Sequence, residues 1–137
     1  FTSEQLRGAV VKETVALETA ILWNRGQGKF ELESLPYPAQ IAPVFAVAVA
    51  DFDADGHPDI LLGGNEERCK PETGICLASR GVLLRGDGKG KFAPVPVRES
   101  GLQIEGVVRD FAVIGNRLLV ARNNRGMVMY GFGKVVE

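Results

Sequence analysis

The stretch DFDADGHPDILLGGN, residues 51–65, decides the fold because it joins an acidic turn to an apolar strand. Four aspartates are crowded into its first nine positions, Gly56 follows the third, and the apolar run after the fourth ends in two glycines. A short apolar run bounded by turn residues is typical of a buried strand. The preceding stretch FAVAVADF is rich in β-branched and aromatic residues, which also favour a strand. The sequence therefore predicts a hairpin whose turn carries the carboxylates.

Further short strands are predicted along the rest of the chain. The stretches RGVLLRG, KFAPVPV, EGVVRDFAVI, NRLLVARNN and RGMVMYGF each hold a handful of apolar residues bounded by Gly, Asn, Asp or Pro. Glycine is abundant, with 17 residues in a chain of 137, and helix-forming blocks are scarce. Strands this short and this regularly spaced predict an all-β fold of the sandwich, barrel or propeller type.

An internal repeat favours the propeller among these architectures. ILWNRGQGKFEL is similar to VLLRGDGKGKFAPV, and the alignment places Phe30 on Phe92, 62 residues later. VAVADFDADGHPDILLGGN is similar to GVVRDFAVIGNRLLVARNN, and the alignment places Asp51 on Asp110, 59 residues later. Each period holds four short strands, which is the content of one propeller blade.

The repeats divide the chain into three parts. Residues 44–97 are predicted to form one complete four-stranded blade. Residues 1–43 hold a short helix plus the outer strands of a preceding blade, and residues 98–137 hold a partial terminal blade. The helix is predicted because Thr2 and Gln5 are spaced as a capping box before an apolar helical face. The expected fold is a β-propeller fragment of about two and a half four-stranded blades.

A propeller normally needs at least about four blades to close, so this chain is too short to form a ring alone. We expect the missing blades to come from sequence outside this chain or from other copies of it. Open blade faces would expose apolar surface, which monomers rarely tolerate. The sequence therefore predicts self-association through exposed blade faces.

The acidic turn has the composition of a calcium site. Ca²⁺ takes roughly six to eight oxygen ligands, and alternating carboxylates in a tight loop point toward one centre. Gly56 permits the sharp turn that returns the backbone toward that centre. The predicted ligands are the carboxylates of four aspartates and the backbone carbonyl of the histidine between them: Asp51, Asp53, Asp55, His57 and Asp59.

Other interpretations of the acidic turn fit less well. An EF-hand needs Glu at the end of its loop and a following helix, whereas this chain has Leu62 there and a predicted strand. A glycosidase needs a carboxyl group with a raised pKa in an apolar pocket, whereas four clustered carboxylates more naturally share a cation. A solvated acidic turn without metal is the remaining alternative.

In the second repeat Ala112 and Ile114 stand in place of Asp53 and Asp55, so one calcium site is predicted rather than two.

With these motifs the sequence resembles the FG-GAP or VCBS repeat family, whose repeats build integrin-α-type β-propellers. The resemblance rests on LWNRGQGKF, VADFDADGHPDILLGGN and VLLRGDGKGKF, and it covers roughly residues 20–130. The closing stretch RDFAVIGNRLLVARNNRGMVMYGF resembles the C-terminal blade of long exported bacterial members. This chain departs from the family in its low number of blades and in the loss of the calcium ligands from its last repeat.

The resemblance implies a secreted, periplasmic or cell-surface protein with Ca²⁺ in its blade loops and a role in protein or carbohydrate binding or adhesion. The alternative is a structural scaffold, in which these blades support a catalytic or other domain elsewhere in a longer chain. In an exported protein Cys69 and Cys76 would form a disulfide bond, and in a cytosolic protein they would be free thiols. Because the resemblance implies export, a disulfide bond is the expectation.

Several function classes are disfavoured by the sequence. The net charge of −1 gives no electrostatic basis for binding nucleic acid, and no apolar run approaches the roughly 20 residues needed for membrane insertion. The single histidine, His57, has no nucleophile motif near it, so no catalytic or cofactor-binding residue is predicted and the chain is expected not to be an enzyme. Arg85, Gly86 and Asp87 spell a tripeptide that integrins recognise, but in this Gly-rich turn they are ordinary turn residues.

Overall fold

The computed structural model describes residues 2, 4–10, 12–70, 72 and 74–133. In these residues the chain is nearly all β and forms three antiparallel sheets of two, four and three strands. The prediction of an all-β fold is confirmed, and the three sheets are consistent with a β-propeller fragment.

Strands that follow one another in sequence pair within each sheet. The first sheet pairs β1 (Ala20–Asn24) with β2 (Phe30–Ser34). The second sheet has four strands, β3 (Val44–Ala50), β4 (Asp59–Gly64), β5 (Val82–Gly86) and β6 (Phe92–Pro94). The third sheet has three strands, β7 (Val108–Ile114), β8 (Arg117–Arg122) and β9 (Val128–Gly131). The connections between sheets carry a 3₁₀ turn, Tyr37–Gln40, and one turn of helix, α1 (Val97–Ser100).

The second sheet lies between two apolar clusters, so its inner strand β4 is buried on both faces. Alternate residues of a strand point to opposite faces, and β4 follows that rule. Ile60 and Leu62 belong to the cluster that includes Leu35 of the segment after β2. Leu61 belongs to the other cluster, which includes Val120 of β8. The two clusters attach both neighbouring sheets to the four-stranded sheet.

Gly63 of β4 permits the close approach of the third sheet. A Cβ atom at this position would lie 2.5 Å from the ring of Phe111 and 2.7 Å from a methyl group of Val108. The glycines that end the apolar run of the acidic hairpin are therefore packing residues. Gly64 meets the backbone of Pro43 in the same way.

The structure reproduces the first of the two sequence repeats. β5 begins and ends 62 residues after β1, in agreement with the alignment of Phe30 on Phe92. The turns that follow also match, since Arg25 N–H donates to the Lys29 carbonyl at 2.9 Å and Asp87 N–H donates to the Lys91 carbonyl at 3.1 Å. The two hairpins are structural copies.

The second repeat has a different register from the one that the sequence alignment predicted. β3 and β7 both have seven residues and a register shift near their starts, so Val44 corresponds to Val108. Asp110, Ala112 and Ile114 accordingly lie within strand β7 and do not occupy loop positions. The alignment failed because the loop between β3 and β4 spans residues 51–58, whereas Gly115 and Asn116 alone join β7 to β8. The last repeat lacks the acidic positions because its loop is only two residues long.

The predicted short N-terminal helix is replaced by turns over residues 4–8. The capping box does form, because Thr2 N–H donates to Gln5 Oε1 at 2.8 Å and Gln5 N–H donates to Thr2 Oγ1 at 3.3 Å. Gly8 then adopts a left-handed conformation with φ 85°, which ends the turn. The apolar side chains that should have anchored the helix remain exposed, Leu6 at 54% and Val10 at 83%. Without a packing partner the capping box does not propagate into a helix.

The predicted disulfide bond is not formed in the structure. Cys69 and Cys76 are free, half-buried thiols. Glu66 and Cys76 close this loop through two backbone hydrogen bonds of 2.8 Å, so the backbone makes the connection that the disulfide was expected to make.

Within the part of the chain that the structure describes, no helix has the length and apolar content needed to cross a membrane.

Candidate metal centre

The acidic loop brings three of the four predicted aspartates together. One carboxylate oxygen from each of Asp51, Asp53 and Asp59 lies within 4.8 Å of the other two. Asp51 follows the last residue of β3 and Asp59 opens β4, and the two strands pair at this point. The hairpin itself therefore gathers carboxylates from the two ends of the loop.

Asp59 is the buried anchor of the loop, with 1% of its surface exposed. Its Oδ2 accepts a hydrogen bond from Phe52 N–H at 2.9 Å, and its Oδ1 accepts one from Gly86 N–H at 2.9 Å. A buried carboxylate is stable only when it is paired or hydrogen-bonded, and these two donors supply that requirement. Asp59 thus ties the start of the loop to the end of the neighbouring strand β5.

Backbone N–H groups of the loop also point at the more exposed aspartates. Asp51 accepts hydrogen bonds from Asp55 N–H at 3.1 Å and from Gly56 N–H at 2.9 Å. Asp53 Oδ1 accepts a second, 3.2 Å bond from Asp55 N–H. The backbone can make these bonds because Ala54 and Gly56 are both left-handed, with φ of 60° and 91°. The glycine relieves the second of these positions of the strain that a side chain would bring.

The other two predicted ligands lie outside this group of three carboxylates. Asp55 Oδ1 accepts a 2.8 Å hydrogen bond from His57 N–H, which holds its side chain along the loop. The His57 imidazole lies over Gly88 in the β5–β6 turn, where a Cβ atom would come within 2.4 Å of His57 Nδ1. The His57 side chain therefore connects the loop to the adjacent turn, and the backbone carbonyl of His57 stays a predicted ligand.

Arg85 of β5 brings a positive charge to the group of carboxylates. Its Nε donates to Asp53 Oδ2 at 2.5 Å, and its Nη2 donates to Glu99 Oε1 at 3.0 Å. These two bonds, the one to Asp53 being the stronger influence, raise the pKa of the guanidinium above its ordinary value. The positive charge beside Asp53 offsets part of the repulsion among the clustered carboxylates.

The carboxylate group fits a hard divalent cation. Two oxygens bound to one Ca²⁺ at about 2.3–2.6 Å lie at most about 5 Å apart, and the three carboxylate oxygens satisfy that limit. The donors are all oxygen atoms, as Ca²⁺ requires. Asp51, Asp53 and Asp59 are the residues that would hold the ion directly.

The tripeptide Arg85, Gly86 and Asp87 is tied into the structure. Arg85 is paired with two carboxylates, and Gly86 donates its N–H to the buried Asp59. Asp87 accepts hydrogen bonds from Lys89 N–H and Lys91 N–H at 2.7 and 3.0 Å. Arg85 and Gly86 lie at the end of strand β5 and only Asp87 lies in the turn, so the interpretation of the tripeptide as turn residues is wrong for the first two.

The three antiparallel sheets and the hairpins that repeat along the chain are consistent with a fragment of a β-propeller. The family model for the FG-GAP-like repeat matches residues 16–62, which include β1, β2, β3 and the acidic loop. Over these residues the match confirms the FG-GAP-type repeat that the sequence motifs predicted.

A relative supports the same assignment. T-cell immunomodulatory protein of Rattus norvegicus is 37% identical over 75 residues, which cover 54% of this chain and 11% of the relative. The chain thus matches about a tenth of the length of this curated protein. No solved structure matches the chain. The predicted bacterial origin finds no support in these matches.

Sequence reasoning missed two residues that organise the site and its surroundings. Arg85 was noticed only as part of a tripeptide, because no local motif links it to Asp53, 32 residues away. Asn65 is 2% exposed, and its side chain bonds to Ser79 N–H, to the Ser79 carbonyl and to the Gly106 carbonyl. Its position directly after two glycines was the one local signal of an unusual backbone, and its φ is 79°.

Proposed function

We propose that this chain is a calcium-binding β-propeller repeat module of an exported or cell-surface protein, and that it binds a protein or carbohydrate ligand. The observation that carries the calcium assignment is the convergence of oxygens from Asp51, Asp53 and Asp59 within 4.8 Å of one another. The match of residues 16–62 to the FG-GAP-like repeat supports the module assignment and, because such repeats are typical of cell-surface proteins, the location.

The cation would act by neutralising the carboxylates and fixing the loop. Asp51 and Asp53 stand near each other and near Asp59, so the loop carries repulsion that a divalent cation removes. Asp59 is already held by Phe52 N–H and Gly86 N–H, which gives the ion one rigid ligand on the scaffold. The ion would therefore restrain the β3–β4 hairpin relative to β5 and steady the surface that the blade presents to its ligand.

Isothermal titration of chelator-treated protein with Ca²⁺ tests the site. We expect one binding event per chain, loss of that event in Asp53→Ala, and no change in Asp110→Ala. Asp110 is a suitable control because it is an exposed aspartate on strand β7, outside the acidic loop. Absence of heat with the wild-type protein, or equal affinity in wild type and Asp53→Ala, would refute the calcium assignment.

Self-association is also part of the proposal, with a second copy of this chain as the partner. Leu22 and Leu32 pair across the first sheet and are 61% and 52% exposed, and Phe30 lies on the same face. Ile114 and Met129 are exposed on the third sheet. Because the sheets of one chain stack through apolar faces, the face of the first sheet can stack on the third sheet of another copy.

Sedimentation velocity over a wide concentration range tests self-association. We expect the weight-average mass of the wild-type protein to rise with concentration. Leu22→Lys should suppress the rise. Tyr37→Lys should leave it unchanged, because Tyr37 is 80% exposed and lies on the 3₁₀ turn outside the sheets. A wild-type monomer at every concentration would refute this part of the proposal.

A further inference from the structure

Arg85 donates a hydrogen bond to a carboxylate oxygen of Asp53, which is a candidate calcium ligand. Its Nε donates to Asp53 Oδ2 at 2.5 Å, and Asp53 is one of the three residues whose carboxylate oxygens converge. The guanidinium comes from β5, so it reaches the loop from a neighbouring strand of the same sheet. The Asp53 carboxylate can therefore pair with the guanidinium or bind a cation.

Two features make an exchange between these partners feasible. The Arg85–Asp53 pair is partly exposed, with 42% of the Arg85 side chain and 30% of the Asp53 side chain accessible, so the guanidinium can leave without a large desolvation cost. Arg85 also bonds Glu99 of α1 at 3.0 Å through a different nitrogen. When Arg85 gives up Asp53, Glu99 remains as its acceptor.

We propose that Arg85 competes with the divalent cation for Asp53 and thereby sets the affinity of the loop, with Glu99 as the acceptor for the displaced guanidinium. This inference rests on the proposed calcium site. In the absence of the ion Arg85 serves as an internal counter-charge for the loop. On binding, the ion takes Asp53 and the Arg85–Glu99 pair keeps the arginine in place beside β5.

Calcium titration of Arg85→Gln tests the competition. Removal of the guanidinium should tighten Ca²⁺ binding about 10-fold, a typical size for coupling between two linked contacts. Arg80→Gln is the matched control, because Arg80 forms an exposed pair with Glu105 at 3.1 Å outside the loop and should leave the affinity unchanged. Circular dichroism of each variant before titration shows whether the fold is kept.

Loss of any nearby positive charge raises the affinity for a cation, so the Glu99 variant is needed to separate competition from bulk electrostatics. Glu99→Gln should weaken calcium binding in the wild-type background, because Arg85 then has only Asp53 as an acceptor. In the Arg85→Gln background the same change should have little effect. A bulk electrostatic effect would instead weaken binding equally in both backgrounds, and that result would overturn the proposal.

The arginine side chain supplies a readout that does not depend on affinity. The Nε–H resonance of Arg85 in the ¹⁵N spectrum should shift on addition of Ca²⁺, because its hydrogen bond to Asp53 is lost. If wild type binds Ca²⁺, Asp53→Ala does not, and Arg85→Gln binds with unchanged affinity, the competition is overturned and the proposed function stands. Failure of both wild type and Arg85→Gln to bind Ca²⁺ would overturn both.

Discussion

The hairpins β3–β4 and β7–β8 are built on the same frame and differ in their connections. Both begin with a seven-residue strand, both have a register shift near the start, and both continue into a six-residue strand. The first is joined by the acidic loop of residues 51–58 and the second by Gly115 and Asn116 alone. The β7–β8 strands pair without an acidic loop, so the hairpin frame does not depend on the carboxylates.

The two hairpins also differ in the residues that open and follow their second strands. Asp59 opens β4 and is buried, whereas Arg117 opens β8 and is exposed. Asn65 follows β4 and is buried in a hydrogen-bond network, whereas Asn123 follows β8 and bonds the exposed Glu67 side chain. Matched positions therefore differ in burial and in the number of backbone groups that they hold, and this difference can be measured.

The largest expected effect is at the opening position of the second strand. Asp59→Ala should lower the free energy of unfolding by about 3 kcal/mol, since it removes the acceptor of two buried backbone N–H groups. Arg117→Ala should change it by less than about 0.5 kcal/mol because the side chain is exposed. Urea denaturation in the presence of a chelator measures both values without a contribution from bound calcium. Equal losses in the two variants would show that burial of Asp59 is not the source of the difference.

A smaller effect is expected at the asparagine pair. Asn65→Ala should cost about 2 kcal/mol, because the Ser79 and Gly106 backbone groups lose a buried partner. Asn123→Ala should cost less than about 0.5 kcal/mol, since its bond to Glu67 is exposed. Thermal unfolding of the two variants beside wild type gives the ordering. An equal or larger loss for Asn123→Ala would show that burial of Asn65 is not the source of the difference.

The smallest expected effect concerns the outer hairpins, where Asp87 occupies the position of Arg25 in the copy 62 residues earlier. Hydrogen bonds from Lys91 N–H and Lys89 N–H lower the pKa of Asp87 below its ordinary value. The carboxylate therefore contributes stability above the unfolded pKa of about 3.9, and that contribution is lost as the pH falls through the lower folded pKa.

The difference in unfolding free energy between wild type and Asp87→Ala should accordingly be present at neutral pH and should shrink in acid below about pH 4. Denaturation of both proteins at a series of pH values measures it. A difference that is constant from neutral pH down to strong acid would mean that the charged form of Asp87 has no special role in the turn.

Much of the candidate site could be predicted because its aspartates lie within nine residues of sequence. The convergence of Asp51, Asp53 and Asp59 follows from a local hairpin, and a local pattern encodes it. The register of the last repeat could not be predicted, since an alignment of side-chain types does not reveal which loop is shorter. The N-terminal helix was overpredicted because a capping box signals a start, whereas a helix also needs an apolar partner to continue.

Alternating side chains, turn glycines and closely spaced carboxylates act over a few residues, so the amino-acid sequence alone was enough to specify an all-β chain, its repeats and an acidic hairpin. Packing of strands far apart in sequence decided the rest. Arg85 meets Asp53 across 32 residues, and Asn65 meets Gly106 across 41. Such contacts depend on strand register and on how closely two sheets approach, and these are properties of the folded chain as a whole.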